Sequence, residues 1–509
     1  MKLPIGIQTF SKIRDRDMVY VDKTQEIWNM LESARYLFLS RPRRFGKSLL
    51  VSILKELHEG NRSLFEGLWI EPYWDWSRNH PVIHLQFSKI DYQAKGLGAA
   101  LVEELQENAK RLGVELKPDS AKSSFRYLIE KASVLGKVVV LVDEYDKPII
   151  DYLDDLEQAK AHRQILKNLY SVLKDSDPYL ELVFITGVSR FAKTGIFSDL
   201  NNIVNLSLDR YARTLLGITS SEIDTYFHNR IEEIAELKDT TVDEVKTQMK
   251  FWYNGYSWGG AERVYNPFSL LNFMRNAEFN NYWYETGTPS FLINLMRENH
   301  QYKIEDLAVP DTTLSGYALE NLNPTTILFQ TGYLTIKERI NLGVYLLGYP
   351  NQEVKVSLES HLLDAFSYDH TQTSKVKALR IATALQTGDL EPAINTINAT
   401  FANIPNQLWQ KENEAFYHAL IHLTFSLAGA FIQSEVNHST GRLDAKIETE
   451  DTIYILEFKL DQSAEIALAQ IGNKKYFQPY EDSPKQKIGV GVNFSTETKT
   501  VTAYKTQLF

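Results

Sequence analysis

Apolar residues alternate between strand-like and helix-like patterns over about the first 215 residues. Short apolar runs at 36–39, 82–87, 138–142 and 182–185 each predict a strand. Segments 46–59 and 101–112 instead repeat apolar residues every three or four positions, which predicts helices with one buried face. The run at 138–142 is apolar throughout, as in a strand covered on both faces. This order predicts a mostly parallel sheet wrapped by helices.

Beyond residue 215, the pattern first predicts mainly helices and then, near the C-terminus, a helix followed by strands. Residues 216–340 contain patterns typical of helices, including a helix start at Ser220. Within 345–400, the pattern predicts a hairpin of two helices at 358–366 and 375–385. A helix at 414–428 then precedes a hairpin of strands at 442–448 and 452–459 and a further strand at 487–494. We therefore predict four segments, namely 1–215, 216–340, 341–404 and 405–509.

Composition excludes several classes of protein. The 509 residues are 43% hydrophobic and 24% charged, so intrinsic disorder is excluded. The formal charge of -10 disfavours a globally basic nucleic-acid binder but allows a local basic groove. Cysteine is absent, which excludes disulfides, thiolate metal sites and thiol catalysis. The N-terminus has no apolar signal core and no run of about 18 apolar residues occurs, so we expect a soluble, cytoplasmic protein with no membrane partner.

The loop after the first strand has the residue types of a phosphate-binding loop. Gly46, Lys47 and Ser48 offer a flexible turn at a helix start, a positive charge and a hydroxyl for magnesium. The pattern G-x-x-x-x-G-K-[ST] has Arg41 in place of its first glycine. The alternative interpretation of this loop is a basic surface turn.

The strand at 138–142 delivers Asp143 and Glu144 at its carboxyl end. In a metal-bound triphosphate site, Asp143 would hold the magnesium shell and Glu144 would polarise the attacking water. The alternative is a solvated acidic turn. Arg190 follows the next strand, where it would either neutralise transition-state charge or form a surface salt bridge, and the sequence leaves both open.

The C-terminal hairpin brings three charged residues to one face. With its turn centred between Glu450 and Asp451, Asp444 pairs directly with Glu457, and Lys459 lies on the same face. Directly opposed Cβ atoms are about 4.5–5.5 Å apart, so the two carboxylates can share a divalent cation that hydrolyses a phosphodiester. The alternative is an exposed hairpin with ordinary cross-strand charges.

Several segments together resemble the AAA-ATPase-like family of bacterial proteins. They are residues 3–10, 20–24, 41–48 and 143–148, and the resemblance covers most of 1–340. It implies an α/β fold with an AAA-like P-loop NTPase core at 1–215 and a helical lid region at 216–340. We interpret the helical hairpin that follows as a connector at 341–404, which positions the last domain. In this family the ATPase module is commonly followed by a nuclease domain. The family tolerates Arg at the position of Arg41. This departure from the pattern therefore puts efficient ATP turnover in question more than nucleotide binding.

The resemblance also implies an ATP and Mg²⁺ site. Glu144 is then catalytic, Ser48 and Asp143 bind the metal, and the expected nucleotide contacts are Arg43, Arg44, Phe45, Gly46, Lys47, Ser48, Leu49, Asp143 and Arg190.

Residues 410–500 resemble the PD-(D/E)xK nuclease superfamily, with Asp444 placed 13 residues before Glu457. This implies a smaller α/β, restriction-endonuclease-like domain at 405–509. Asp444 and Glu457 are then expected to bind Mg²⁺ or Mn²⁺, with Lys459 catalytic. The expected supporting residues are Gln470 and Tyr476, with Glu414 in preference to Glu435 as an additional upstream acid.

Two functions follow as hypotheses. The first is an ATP-dependent nuclease acting on DNA or RNA, as a monomer or homo-oligomer, in phage defence or a mobile element. The second, motivated by Arg41, is a nucleotide switch or scaffold with slow or no turnover, whose C-terminal domain binds nucleic acid without cutting it. Candidate backbone contacts are Lys474, Lys475, Lys485 and Lys487, for which a solvated lysine-rich surface is the alternative.

Overall fold

The computed structural model describes residues 1–117, 119–191, 196–197, 200, 202–283, 290–298, 304–314, 316–367, 374–402, 420, 423–424, 426–428 and 445–509. Contacts divide the chain into two units. Unit 1 comprises Met1–Leu292 and Ile304–Val354, and unit 2 comprises Ile293–Lys303 and Lys355–Phe509. The helices that follow Lys355 therefore belong to the same unit as the C-terminal strands.

All five strands of the first sheet are parallel. They are β1 (Tyr36–Ser40), β2 (Val82–Gln86), β3 (Val138–Asp143), β4 (Leu180–Gly187) and β5 (Val204–Asn205), in the spatial order β2-β3-β4-β1-β5. Every residue of β3 is buried, as its apolar run predicts. The predicted parallel α/β fold is confirmed. Because parallel strands end at one edge of the sheet, β1, β3 and β4 deliver their following loops to the same place.

Helices cover this sheet. They are α1 (Phe10–Asp15), α2 (Thr24–Ser33), α3 (Lys47–His58), α4 (Tyr92–Lys95), α5 (Leu97–Arg111), α6 (Ala121–Ala132), α7 (Lys147–Ile150), α8 (Leu156–Tyr170) and α9 (Val172–Asp175). In α3, the residues Leu50, Ile53, Leu54 and Leu57 are buried, which gives the helix the one apolar face that its sequence predicts.

The middle region of unit 1 is rich in helix. Its helices are α10 (Ser220–Leu237), α11 (Val242–Tyr253), α12 (Pro267–Asn276), α14 (Asp311–Leu314) and α15 (Pro324–Thr331), whereas α13 (Ser290–Glu298) begins at the end of a unit 1 segment and lies mostly in unit 2. Thr219 and Glu222 form a capping box at the start of α10, each accepting a hydrogen bond from the backbone of the other. Asn266 caps α12 by accepting from Phe268 N and Ser269 N.

A small antiparallel sheet in the same region was not predicted. Its strands β6 (Leu307–Pro310), β7 (Thr335–Asn341) and β8 (Val344–Gly348) lie in the order β6-β8-β7. Most of β7 is exposed, so no apolar alternation marks it in the sequence. The tight turn to β8 passes through Gly343, whose φ is +76°.

Unit 2 combines helices with a mixed sheet. Its elements are α16 (Gln352–Ser367), α17 (Ser374–Thr387), α18 (Glu391–Ala402), β9 (Ala445–Glu448), β10 (Thr452–Leu460), α19 (Ala464–Asn473), β11 (Gln486–Ser495) and β12 (Thr500–Leu508), of which α16 begins at the end of unit 1. The strand order is β12-β11-β10-β9, and only β10 and β11 run parallel. The helix α19 makes the crossover between them, so a smaller α/β domain is confirmed.

The two faces of this sheet carry different helices. A Cβ at Gly491 would lie 2.3 Å from the Ala464 carbonyl oxygen, so the glycine lets α19 lie close to the strands. On the other face, the Tyr454 hydroxyl donates to the Leu385 carbonyl at 2.9 Å. Phe494 packs there against Phe401, with ring centroids 4.7 Å apart. The sheet is thus buried between α19 and the pair α17 and α18.

Among the helices described, none is both long and apolar enough to cross a membrane.

Candidate functional site

The loop after β1 leads directly into α3. Gly46 precedes the helix with a φ of +89°, a left-handed conformation that glycine adopts at little cost. The first turn of α3 has no acidic residue and no side-chain cap, so this helix end favours an anion. Lys47 is buried, and its Nζ donates to the Arg41 and Pro42 carbonyls, both at 2.8 Å. The loop therefore encloses a positive charge at a helix N-terminus.

Asp143, at the end of β3, is buried close to Ser48. Its Oδ1 finds no hydrogen-bond partner within the described part of the chain. Burial raises the pKa of Asp143 to about 6, while a hydrogen bond from the Ser48 hydroxyl acts in the opposite direction. A hydroxyl beside a buried carboxylate oxygen without a partner fits Mg²⁺, which prefers oxygen ligands.

Glu144 directly follows Asp143 in a left-handed backbone conformation, with a φ of +56°. Such a conformation costs a non-glycine residue on the order of 1–3 kcal/mol and needs support from its surroundings. Tyr145 N donates to the Thr186 carbonyl at 3.1 Å, and Lys147 N donates to the Glu144 carbonyl at 3.0 Å. These two bonds hold the turn in which Glu144 lies beside the cleft.

A cleft of about 440 Å³ is lined by Gly46, Lys47, Ser48 and Glu144, and the buried Asp143 is not among its lining residues. Its walls come from the loop and α3, from the segment after β3, from the chain's first residues and from the start of α12. The polar or charged side chains among its lining residues are Gln8, Arg43, Arg44, Lys47, Ser48, Glu144, Asp146, Lys147 and Asp151. Burial lowers the pKa of Lys47 to about 8, although the charges of Asp143, Asp146 and Glu144 oppose this.

A second, apolar cavity of about 120 Å³ adjoins the cleft. The two share wall residues, namely Pro4, Ile13, Gly46, Leu49, Pro267 and Leu271. The far wall of the apolar cavity includes Val19, Leu216, Ile218 and Phe227. A charged cleft thus continues into an apolar space.

In unit 2, four side chains meet at one face of β10. Glu457 is only 3% exposed, and its Oε1 accepts from Lys459 Nζ at 3.1 Å. Gln470 on α19 also donates to this Oε1 and donates to the Tyr476 hydroxyl at 3.3 Å. The structure therefore brings together Glu457 and Lys459 with Gln470 and Tyr476, the two supporting residues that the resemblance implies.

The register of the hairpin decides which residue would oppose Glu457. The observed pairs run from Ile453 with Glu448 to Leu456 with Ala445, which is the predicted register. The predicted Asp444 lies outside the described residues, as do Glu414 and Glu435. Within the described ranges, no group of three or more metal-ligating side chains is present.

Family models match the segments that carry both candidate sites. Residues 4–197 match the family model described as predicted AAA-ATPase, and residues 412–504 match the PD-(D/E)XK nuclease superfamily. An uncharacterised protein in the vnfD 5′ region of Azotobacter chroococcum mcd 1 is 38% identical, over 99% of this chain and 98% of its own length. The chain belongs to the AAA-ATPase-like family. Its C-terminal part carries a PD-(D/E)XK nuclease superfamily domain.

Among solved structures, a Walker-type ATPase of Pyrococcus abyssi is similar at 12% identity and a TM-score of 0.32, over 65% of this chain and 93% of that chain.

Arg41 lies outside the cleft of this AAA-ATPase-like protein. Its guanidinium donates to the carbonyls of Ser40, Ser207 and Ala212 at 2.9, 2.8 and 2.7 Å. It also lies 3.9 Å from the ring centroid of Trp258. The φ of Arg41 is not positive, so its position in the loop does not require glycine. Arg41 therefore anchors the start of the loop.

Three of the residues predicted to contact the nucleotide, namely Phe45, Asp143 and Arg190, are not among those that line the cleft. The Phe45 ring packs against Tyr256 and Trp258, with centroids 4.7 and 5.4 Å away, and lines the apolar cavity. Arg190 borders a small cavity next to Arg41 and is not among the residues that line the cleft. Arg43, Arg44, Gly46, Lys47, Ser48 and Leu49 do line the cleft.

Asp146 is a cleft residue to which the sequence analysis gave no role. It is 1% exposed, and its Oδ2 accepts from Val188 N at 3.0 Å and from Ser189 N at 2.5 Å. Burial raises the pKa of Asp146 to about 6, against the effect of the Ser189 bond. A Cβ at Gly187 would lie 2.3 Å from Asp146 Oδ1, so the glycine makes this contact possible. The one sequence feature that could have indicated a role for Asp146 was its place in the motif at 143–148.

The four candidate lysines near the nuclease site differ in their surroundings. Lys485 Nζ pairs with Glu448 at 3.0 Å and donates to the Thr449 carbonyl at 2.9 Å. Lys487 Nζ donates to the Ser483 carbonyl at 2.8 Å. Lys474 and Lys475 are exposed in the segment between α19 and Tyr476. Only this second pair is exposed beside the site.

Proposed function

We propose that this protein binds ATP with Mg²⁺ in the cleft of unit 1, hydrolyses it, and cleaves DNA or RNA with its C-terminal domain. The observation that carries the proposal is that Lys47, Ser48 and Glu144 line one cleft at the ends of β1 and β3, with the buried Asp143 in hydrogen-bond contact with Ser48. The match of residues 412–504 to a nuclease superfamily supports the second activity.

In the ATPase, Lys47 would exchange its two loop carbonyls for phosphate oxygens at the N-terminus of α3. Ser48 and Asp143 would hold Mg²⁺, which offsets the charge on the β- and γ-phosphates when it is bound. Glu144 would orient the attacking water and take its proton. Arg43 and Arg44 line the same cleft and add positive charge.

The apolar cavity provides a place for the base. It shares Gly46 and Leu49 with the cleft, so a nucleotide with its phosphates at the loop would reach it. Adenine presents fewer polar groups than guanine, so burial in apolar surroundings costs it less free energy. We accordingly propose ATP rather than GTP as the nucleotide.

In the nuclease, continuation of the observed register by one pair would place Asp444 opposite Glu457. These two carboxylates would hold Mg²⁺ or Mn²⁺, which activates water for phosphodiester hydrolysis. Lys459, already in contact with Glu457, would orient that water or offset transition-state charge. Lys474 and Lys475 would contact the substrate backbone.

Steady-state phosphate release tests the ATPase. Lys47→Ala is expected to reduce release to background, whereas Lys122→Ala, an exposed lysine away from the cleft, leaves it unchanged. If wild type and Lys47→Ala both release phosphate at background level while wild type binds ATP tightly, the protein is a nucleotide switch.

Cleavage of labelled DNA and RNA in Mg²⁺ or Mn²⁺, with and without ATP, tests the nuclease. Glu457→Gln and Lys459→Ala should both abolish cutting, and Glu497→Gln, at an exposed position of the same domain, should not. Products that persist unchanged in both site variants would trace the cutting to a contaminant. Binding without cutting in wild type would instead favour the nucleic-acid-binding alternative.

We propose the bacterial cytoplasm as the setting and phage defence or a mobile element as the role, both from the family resemblance. A nuclease inside a cell must be restrained, and coupling to a nucleotide is one means of restraint.

A further inference from the structure

Two arginines border a small cavity over the ends of β1 and β5. Arg41 is 1% exposed, and its Nη groups bind carbonyls, but its Nε finds no acceptor within the described part of the chain. The ring of Trp258 covers one face of its guanidinium at 3.9 Å. Arg190, three residues after the end of β4, also lines this cavity and is partly buried.

Among the residues that the structure describes, no carboxylate balances these two charges. Across the described residues, neither Arg41 nor Arg190 forms a salt bridge, and no acidic residue lines the cavity. Burial lowers the pKa of both guanidinium groups. A charge removed from water is costly unless an opposite charge or a polar ligand replaces the lost hydration. The cavity-lining residues that the structure describes offer only neutral partners to the two guanidinium groups.

Neutral groups on the cavity favour an anion as well. The Asn205 carboxamide oxygen accepts from Ser207 N at 3.1 Å and from the Ser207 hydroxyl at 2.8 Å. Asn205 lines the cavity, and its NH₂ group can act only as a donor. The Gln330 carboxamide accepts from Arg190 N at 2.8 Å, which fixes the backbone that carries the second guanidinium.

The size of the cavity limits the ligand. Its volume is about 20 Å³, enough for one water or one monatomic ion and too small for a phosphate group. We propose that this cavity binds a halide ion, in the cell chloride, between Arg41 and Arg190. The site differs from the ATP cleft, whose lining includes neither arginine, so the inference goes beyond the proposed function.

The test uses the full chain without nucleotide, so its outcome is independent of ATP binding. Thermal unfolding is followed while chloride replaces gluconate at constant ionic strength. Wild type should gain about 2 °C or more in a saturable manner, because a ligand bound only by the folded state stabilises it. Arg190→Gln should abolish the gain. Arg163→Gln, at an arginine that already pairs with Glu320 at 2.8 Å, should retain it.

Crystals grown or soaked in bromide provide a second measurement on the unaltered protein. An anomalous peak between the two guanidinium groups is expected. The proposal requires both results. It is overturned if the cavity holds only water in bromide, or if chloride affects wild type and Arg190→Gln equally.

Discussion

Replacing Arg41 by glycine restores the first glycine of the phosphate-binding pattern and tests what this residue does. If Arg41 impairs turnover, Arg41→Gly should speed phosphate release. The structure predicts otherwise, because the guanidinium holds three main-chain carbonyls outside the cleft and its backbone φ is not positive. We expect loss of stability without a gain in activity.

The magnitude follows from these contacts. Hydrogen bonds from a charged donor contribute about 1.5–3 kcal/mol each, and a desolvated cation–π contact contributes about 2 kcal/mol. The contributions are not additive, and relief from burying the Arg41 charge offsets part of the loss. We therefore expect Arg41→Gly to lower the free energy of unfolding by roughly 3–5 kcal/mol, or the melting temperature by roughly 10 °C.

Thermal unfolding and phosphate release, measured below the variant's melting temperature, check this prediction. Arg43→Gly is the matched control, since Arg43 is exposed in the same loop and the bond from Trp283 Nε1 goes to its main-chain carbonyl. The control should change the free energy of unfolding by no more than about 1 kcal/mol, the cost of glycine itself. If Arg41→Gly melts at the wild-type temperature and releases phosphate faster, Arg41 limits turnover and does not anchor the loop.

Three further predictions concern pH, packing and the nuclease site. Affinity for Mg²⁺-ATP should be highest between about pH 6 and pH 8, because protonation of Asp143 below pH 6 removes the carboxylate proposed to bind the metal, and deprotonation of Lys47 above pH 8 removes a positive charge. Binding of a fluorescent ATP analogue measures this affinity, and equal affinity at pH 5 and pH 7 would contradict the prediction. Gly491→Ala should lower the free energy of unfolding by about 1–3 kcal/mol, because the new Cβ would push α19 away from the sheet. Gly472→Ala, whose Cβ would make only ordinary contacts, should not lower it, and equal melting temperatures of the two variants would disprove the packing argument. Gln470→Ala should slow cutting about 10–100-fold at low metal concentration and less at high metal concentration, because the Gln470 side chain orients Glu457. An equal loss of cutting at both metal concentrations would indicate a different role for Gln470.

Much of both sites was predictable because it depends on neighbours in sequence. The apolar run of β3 leads directly to Asp143 and Glu144, and Gly46, Lys47 and Ser48 are consecutive at a helix start. The hairpin register followed from the position of a short turn, so the pairing next to Glu457 was correct. In each case, local periodicity or a turn positions the side chain.

Other features depend on contacts between distant segments. Arg41 binds carbonyls 166 and 171 residues away, so its sequence context could not show that it leaves the cleft. Asp146 joins the cleft to the end of β4 through Ser189, 43 residues later. A local pattern records which side of an element is buried and not which segment buries it. The chain's own order of residues therefore determined the strands, the loop and the hairpin register, while only tertiary packing decided where the arginines point and which side chains line the cleft.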